Sequence, residues 1–378
     1  MLRGDGTGVS TYARALVDAV GQVGARPYLL SASQEDSGWI ARWFGAAGRA
    51  PHALREFAPV DASGGLLVGR DIFRRAHVHF NMYRRLLSLK TELPFGIMHW
   101  TYPVPLVMEG WINLYTVHDA IPLTRPDLSP VGWRRHRAVI EAIATRARRI
   151  ITVSESARGE IIAATGCEPA LVVNCGQPVN VAQQRLQPLP AGLTPKGYFL
   201  YCGSIEPRKN LPALLDSYRM SRVTTPLVLA GPDGWKAEPI LLQIELTLGA
   251  VRLPYQSRAN LLRLIEGARA LLFPSLAEGF GLPLAESMAL GTATLTSDRG
   301  ALAEVAGGAA LLVDPEDRGA MSAGIKRLAD DDALIKRLSA LGLERAQAFS
   351  REAFAARLAD VYHTAFADEP FDGYQVAS

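Results

Sequence analysis

The chain has 378 residues, 48% hydrophobic and 20% charged, with a formal net charge of +3. That length suits two domains at roughly 100–200 residues each, and the charge is too small for a nucleic-acid binder, so no nucleic acid is expected as a partner. The three cysteines (Cys167, Cys175, Cys202) and the seven scattered histidines show no metal-ligand spacing, which points to a reduced, cytoplasmic chain with no bound metal or other cofactor.

The N-terminal stretch "RGDGTGVS" is a glycine-rich polar loop, followed by the helical pattern "TYARALVDAV". It lacks the basic-then-apolar order of a secretion leader, and no apolar run reaches the ~18 residues of a membrane span. A doubly wound domain normally has a strand ahead of such a loop; either that strand is absent or the domain begins at the loop. Gly6 and Gly8 precede the helix start, a weak ligand signal by itself. Residues 71–90, "DIFRRAHVHFNMYRRLLSLK", read as a helix in which Arg74, Arg75, Arg84 and Arg85 interleave with Phe73, Phe80 and Tyr83. Either its aromatics pack inward beneath a solvated face, or it lies on an anionic membrane surface. In "LYTVHDAIPL" a strand runs into His118–Asp119, either a loop histidine capped by its neighbour or a polar pair facing a ligand.

Downstream, short apolar runs alternate with amphipathic helical patterns. "RIITVS" (149–154), "YFLYCG" (198–203), "PLVLAG" (226–231), "ALLFPS" (270–275) and "ATLTS" (293–297) read as buried parallel strands, with "SESARGEIIAATG", "NLPALLDSYRM" and "SRANLLRLIEGA" as helices between them. This alternation is the mark of α/β doubly wound sheets, which bind ligands outside the carboxyl ends of their strands. A polar stretch rich in proline and glycine interrupts it. The expected organisation is therefore a first domain over 1–180, a linker over 181–197, a second domain over 198–350, and a C-terminal helix and tail over 351–378. Two similar halves joined by a linker imply a cleft for a ligand. The C-terminal helix puts Phe354, Leu358, Val361 and Tyr362 on one packing face. Nothing except the polar tail after Asp368 reads as disordered.

Two segments carry the chemistry. In "YCGSIEPRKNLPALLDSY" a strand ends at Gly203 and a helix starts near Asn210, a possible N-cap. Arg208 and Lys209 between them are either placed for a diphosphate or form a solvated surface pair. In "SLAEGFGLPLAESMALGT" (275–292), Glu278 and Glu286 stand eight positions apart. Pro283 suits the first turn of a helix and Gly291 its C′ position. Glu278 then lies in the loop and Glu286 near the first turn, so they do not share a helical face. The glycines permit close backbone approach, and the helix start favours an anion. Carboxylates repel phosphate and bind hydroxyls, so the acids suit hydroxyl-bearing parts of a phosphate-containing ligand and the loop amides suit its phosphate. The alternative is a solvated loop with a helix-dipole glutamate.

Taken together, "GSIEPRKNL", "LVLAGPDGW", "LFPSLAEGFGLPLAESMALGT" and "GALAEVAGGAALLVDPED" resemble glycosyltransferase family 4, retaining enzymes of the GT-B fold. In the first half "TGVSTYARAL", "MHWTYPVPL", "TVHDAIPL", "ITVSESAR" and "LVVNCGQPV" follow the family's order, so the likeness covers nearly the whole chain. It implies two Rossmann-like domains facing across a cleft, with the C-terminal helix crossing back to the first. It further implies that Arg208 and Lys209 hold the donor diphosphate and that Glu278 contacts the transferred sugar. Phe280, Gly281 and Leu282 would present backbone amides, Glu286 would bind the ribose, and His118 would sit by the sugar's reacting end. Gly6 and Gly8 would line the diphosphate side. Ser204 would also line the donor site; many members carry an arginine at its position, which leaves Arg208 as the nearby substitute.

The style of the first half is most like bacterial exopolysaccharide α-mannosyltransferases that use GDP-mannose. The implied partners are a nucleotide-sugar donor and a polyprenyl-diphosphate-linked glycan acceptor, such as cellobiosyl-diphosphopolyprenol, with peripheral contact to the inner face of the cytoplasmic membrane through 71–90. A UDP-sugar donor, or a non-catalytic nucleotide-sugar-binding protein, is the alternative.

Overall fold

The computed structural model describes residues 8–22, 24–33, 52–61, 64–181 and 188–367. Gly6, linker residues 182–187 and the tail from Asp368 lie outside them, as does any strand ahead of Gly8.

In the N-terminal domain the elements are α1 (Gly8–Gln22), β1 (Tyr28–Ser33), β2 (His52–Ala53), β3 (Arg55–Asp61), β4 (Gly64–Arg70), α2 (Ile72–Tyr83), β5 (Leu87–Lys90), β6 (Ile97–Trp100), β7 (Leu106–Met108), β8 (Ile112–Thr116), α3 (Ile121–Thr124), α4 (Trp133–Ala144), β9 (Arg149–Thr152), α5 (Glu155–Thr165) and β10 (Val172–Asn174). Strands β10-β9-β8-β6 form a parallel sheet, and β1-β4-β3 and β2-β5-β7 form two smaller ones. In the C-terminal domain follow β11 (Phe199–Cys202), α6 (Leu211–Ser221), β12 (Leu227–Ala230), α7 (Glu238–Glu245), β13 (Ala250–Leu253), α8 (Arg258–Gly267), β14 (Ala270–Phe273), α9 (Leu282–Ala289), β15 (Ala293–Ser297), α10 (Gly300–Ala306), β16 (Leu311–Val313), α11 (Arg318–Asp330), α12 (Asp332–Ala346) and α13 (Arg351–Ala367). Its six strands are parallel, in the order β13-β12-β11-β14-β15-β16. Every residue of β11, β12 and β14 is buried, as a parallel sheet covered on both faces requires.

The expected two doubly wound domains are present, and α13 returns to the first. Phe354 and Leu358 share a buried cluster with Tyr12 and Leu16 of α1, and Arg351 pairs with Asp18 at 3.3 Å. Two expectations fail. Residues 71–90 are not one helix: Arg84, at φ 53°, ends α2, and 87–90 pair as a strand with β7 and β2. Phe80 is fully buried, so this part of the aromatic face is core. Asn210 holds the N-cap position of α6 but, at φ 59°, does not cap it. Its amide instead donates to the carbonyls of Pro274 (3.2 Å) and Pro315 (2.7 Å). All three cysteines are free thiols. Among the described residues no helix is long and apolar enough to cross a membrane.

Candidate active site

The strand order reverses between β11 and β14: β12 and β13 lie to one side, β15 and β16 to the other. At such a reversal the connections leaving the two central strands diverge and open a crevice at their carboxyl ends, the usual ligand position in open α/β sheets. The two segments that carry the chemistry in the sequence are the ones leaving β11 and β14.

Beyond β11 the backbone turns at Gly203, φ 143°. Gly231 packs so closely here that a Cβ on it would lie 2.0 Å from the Gly203 carbonyl oxygen. Ser204 offers its own carbonyl to the Tyr201 hydroxyl at 2.8 Å. Pro207–Lys209 then wind into a 3-10 turn that is tied to the loop after β14. The Leu276 N–H donates to the Arg208 carbonyl at 2.9 Å. The Arg208 guanidinium donates to the Ala277 carbonyl (2.9 Å), to Glu278 (2.7 Å) and to Glu206 (2.7 Å). The Lys209 ammonium donates to the other Glu278 oxygen at 2.5 Å and stands 4.9 Å from the centre of the Phe273 ring.

Arg208 and Lys209 are therefore no solvated surface pair. With Glu206 and Glu278 they form a largely buried quartet of zero formal net charge, in which Lys209 is only 7% exposed. Burial pushes the Glu278 carboxyl up, but the facing Arg208 and Lys209 outweigh it and hold it at about 2. Burial also opposes the charge on Arg208, whose carboxylate partners Glu278 and Glu206 more than compensate. Glu278 is thus ionised at neutral pH and has no proton to donate.

Gly281, at φ 95°, occupies the N-cap of α9, Pro283 sits in its first turn, and Gly291, at φ 66°, follows its end. Glu286 lies mid-helix rather than near the first turn, and is 2% exposed. Its carboxylate lies 2.5 Å from Arg258 at the start of α8; burial raises it against the pull of that guanidinium. The two glutamates thus sit on different elements with different cationic partners. Arg258 carries no signal in its own sequence neighbourhood. Phe280 buries its ring edge-on to Phe349, 5.3 Å between centroids. Across the cleft, a Cβ on Gly8 would meet the Leu282 side chain at 3.6 Å. The structure therefore brings Gly8 to the loop, while Gly6 lies outside the described residues.

The N-terminal domain meets this loop at Gly279. Ser154, which caps α5 by accepting from the Ala157 N–H, donates its hydroxyl to the Gly279 carbonyl at 2.7 Å. A Cβ on Gly279 would lie 2.3 Å from the His118 carbonyl oxygen and 3.0 Å from Asp119 Cβ. His118 Nε2 lies 2.9 Å from the Thr101 carbonyl. A carbonyl only accepts, so Nε2 carries the proton. Burial lowers the ring's pKa against the Thr101 carbonyl and Asp119, which leaves the ring neutral with Nδ1 as an acceptor. Asp119 does not cap His118; it accepts from the Ile121 N–H at 3.0 Å, at the start of α3.

Two further groups escaped the sequence reading. Glu304 of α10 accepts the N–H groups of Glu155 and Ser156, both at 2.8 Å, and so caps α5 from the other domain. Behind His118, whose ring meets Tyr12 edge-on at 4.9 Å, a buried chain runs from Tyr12 to Thr116 (3.0 Å), His99 (2.9 Å) and Tyr362 of α13 (2.9 Å). Burial drives His99 down to about 3, and the neighbouring His118 lowers it further, so this link is neutral.

Comparison with known proteins places these features in context. Residues 191–345 match the family described as Glycosyl transferases group 1. The chain is 32% identical over 265 residues to O-antigen chain mannosyltransferase B of Escherichia coli, covering 65% of this chain and 69% of that protein. It is 28% identical over 274 residues to the serotype-specific mannosyltransferase WbdA of Escherichia coli, covering 66% of this chain but only 33% of that longer protein. The solved structure of sucrose-phosphate synthase from Thermosynechococcus elongatus superposes with a TM-score of 0.68 at 19% identity over 97% of both chains, a likeness of fold.

Proposed function

The chain belongs to the group 1 glycosyl transferases, glycosyltransferase family 4, and is a glycosyltransferase; from that premise we propose that it moves a mannosyl group from GDP-mannose to a polyprenyl-diphosphate-linked glycan, with retention of configuration, in O-antigen or exopolysaccharide synthesis. The observation that carries this reading is the meeting of the Glu278 loop with His118 at the strand-order reversal, in a chain whose relatives are named O-antigen mannosyltransferases. A UDP-sugar donor is the competing choice.

On this reading the donor diphosphate lies in the crevice between the β11 and β14 loops. The backbone N–H groups of Phe280 and Gly281, in the loop, and of Leu282, which opens α9, face it. Arg208 and Lys209 exchange part of their contact with Glu278 for phosphate oxygens and stabilise the charge that grows as the nucleotide leaves. Glu278 and the His118 Nδ1 acceptor hold sugar hydroxyls, and Glu286 with Arg258 takes the ribose. The anomeric carbon gains oxocarbenium character. The acceptor hydroxyl attacks the same face, its proton passes to the departing phosphate, and the sugar–phosphate bond breaks as the new glycosidic bond forms. Glu278, already ionised, positions the sugar and carries no proton. A lipid-linked acceptor would bring the enzyme to the inner face of the cytoplasmic membrane.

A thermal-shift panel of nucleotides and nucleotide sugars tests the donor: stabilisation by GDP-mannose over UDP-sugars is expected, and preference for a UDP-sugar would overturn that choice. Release of GDP only when donor and lipid-linked acceptor are both present separates a transferase from a non-catalytic binder.

A further inference from the structure

A second concave site lies in the N-terminal domain, among α3, α4 and α5. It is a pocket of about 440 Å³, within the roughly 300–1,000 Å³ of small-molecule sites. Its walls combine an aromatic ring, Trp133, with a carboxylate, Glu160, a guanidinium, Arg137, and the short residues Thr124 and Ala163. We propose that this pocket is a subsite for a pyranose unit of the acceptor glycan, stacked on Trp133 and hydrogen-bonded through its hydroxyls to Glu160 and Arg137.

The chemistry matches a sugar more closely than other small molecules. A pyranose has an apolar face of C–H groups and a rim of hydroxyls. Trp133 is 43% exposed, and the Arg134 guanidinium covers its ring at 5.1 Å from the centroid, which fixes the indole as a platform. Glu160 is half-buried, and the Ser156 hydroxyl approaches it only at a marginal 3.5 Å, so its oxygens retain capacity to accept hydroxyl protons. Arg137 is steadied by Glu141 one turn on, at 2.8 Å, and still lines the pocket.

The location joins this pocket to the cleft. Thr124 ends α3, which starts two residues after Asp119. Glu160 lies six residues along α5 from Ser154, the residue bonded to the Gly279 carbonyl. At about 1.5 Å per residue, that is roughly 9 Å from the interdomain contact. This inference rests on the transferase reading for its choice of ligand.

The test uses the full chain labelled with 5-fluorotryptophan, the Trp133 signal being assigned from Trp133→Phe, and titrates α-linked mannotriose and, separately, cellotriose. The expected result is a saturable shift of the Trp133 resonance with at least one of them, weakened roughly tenfold or more in Glu160→Gln. In turnover, Trp133→Ala should raise the acceptor KM about tenfold and leave the donor KM unchanged. If neither oligosaccharide moves Trp133 while GDP-mannose still stabilises the protein, the subsite is wrong and the transferase reading stands. If the oligosaccharides bind at Trp133 but no nucleotide sugar stabilises the chain, the reverse holds.

Discussion

Replacing Gly279 by alanine would put one methyl group into the contact between the two domains. Gly279 is not among the positive-φ glycines, so alanine costs little in backbone strain, and the effect comes from space alone. The new Cβ would start 2.3 Å from the His118 carbonyl oxygen and 3.0 Å from Asp119 Cβ. The first contact must open beyond 3.0 Å, the floor for real Cβ contacts, and its partner is backbone that cannot rotate away. The Ser154–Gly279 hydrogen bond at 2.7 Å must stretch with it. Glu278, the next residue in the loop, then moves relative to His118 by an appreciable fraction of an ångström. Misplacement on the order of 1 Å costs about 10²-fold in rate, or about 2.7 kcal/mol of transition-state stabilisation. We expect kcat/KM for mannosyl transfer to fall by about that factor. The melting temperature should change little, because Gly279 packs at the domain contact and not in either core. Small-angle scattering should report a more open molecule. Wild-type turnover with an unchanged scattering profile would refute the idea that Gly279 sets the approach of the domains.

Glu278→Gln leaves the buried Lys209 and Arg208 short of a carboxylate and should lower stability by about 3–5 kcal/mol in urea unfolding. GDP or pyrophosphate should then stabilise this variant more than the wild type, and equal stabilisation would count against an anion exchanging for Glu278. Glu304→Gln weakens the charged cap on α5, so domain closure should lose about 1–2 kcal/mol, read as a higher donor KM and a larger radius of gyration; unchanged values would show that the cap does not bear on closure. His99 has a folded pKa of about 3 against an ordinary 6.5. The unfolded chain therefore takes up the proton first, and the stability from this group is complete above pH 6.5 and is lost as the pH falls toward 3. His99→Gln should flatten that limb of the stability–pH curve, and an unaltered limb would place the acid sensitivity elsewhere.

The centre of the C-terminal sheet was readable because β11, β12, β14 and β15 are short buried apolar runs that end near a turn residue, and the pattern is local; β13, which is partly exposed and contains Arg252, and the three-residue β16 carry too little of that pattern to be read. Pro283 and Gly291 fixed α9 for the same reason. The stretch 71–90 misled because its helical spacing continues past Arg84, while the choice of strand at 87–90 is made by pairing with β7 and β2, which no local pattern announces. The charge partners were the least legible. Lys209 and Glu278 are 69 positions apart, and Arg258 looks like an ordinary first-turn residue until α8 and α9 pack. The Glu304 cap joins residues 148 and 149 positions apart, and the His99–Tyr362 link spans 263. A sequence shows which groups can carry charge, while the fold decides which of them face each other.

That distinction alters the electrostatics of the crevice. Read from the sequence, Arg208 and Lys209 are two cations awaiting a diphosphate. In the fold they already hold Glu278 and Glu206, and the four charges cancel. A diphosphate approaching this point is not drawn by a net positive field. What remains to attract it is directional: the backbone N–H groups of Phe280, Gly281 and Leu282 at the start of α9 and the capacity of two cations to share a new partner. A buried Lys209 without a carboxylate would carry a large desolvation cost; burial lowers its pKa, and in the free protein Glu278 opposes that shift and holds the side chain in place. A donor that brings its own negative charge and its own hydroxyls satisfies the cations and the carboxylate together. A bare anion satisfies only the cations and leaves Glu278 to find another donor. The quartet therefore favours a ligand that carries both groups at the right separation, and a nucleotide sugar is such a ligand.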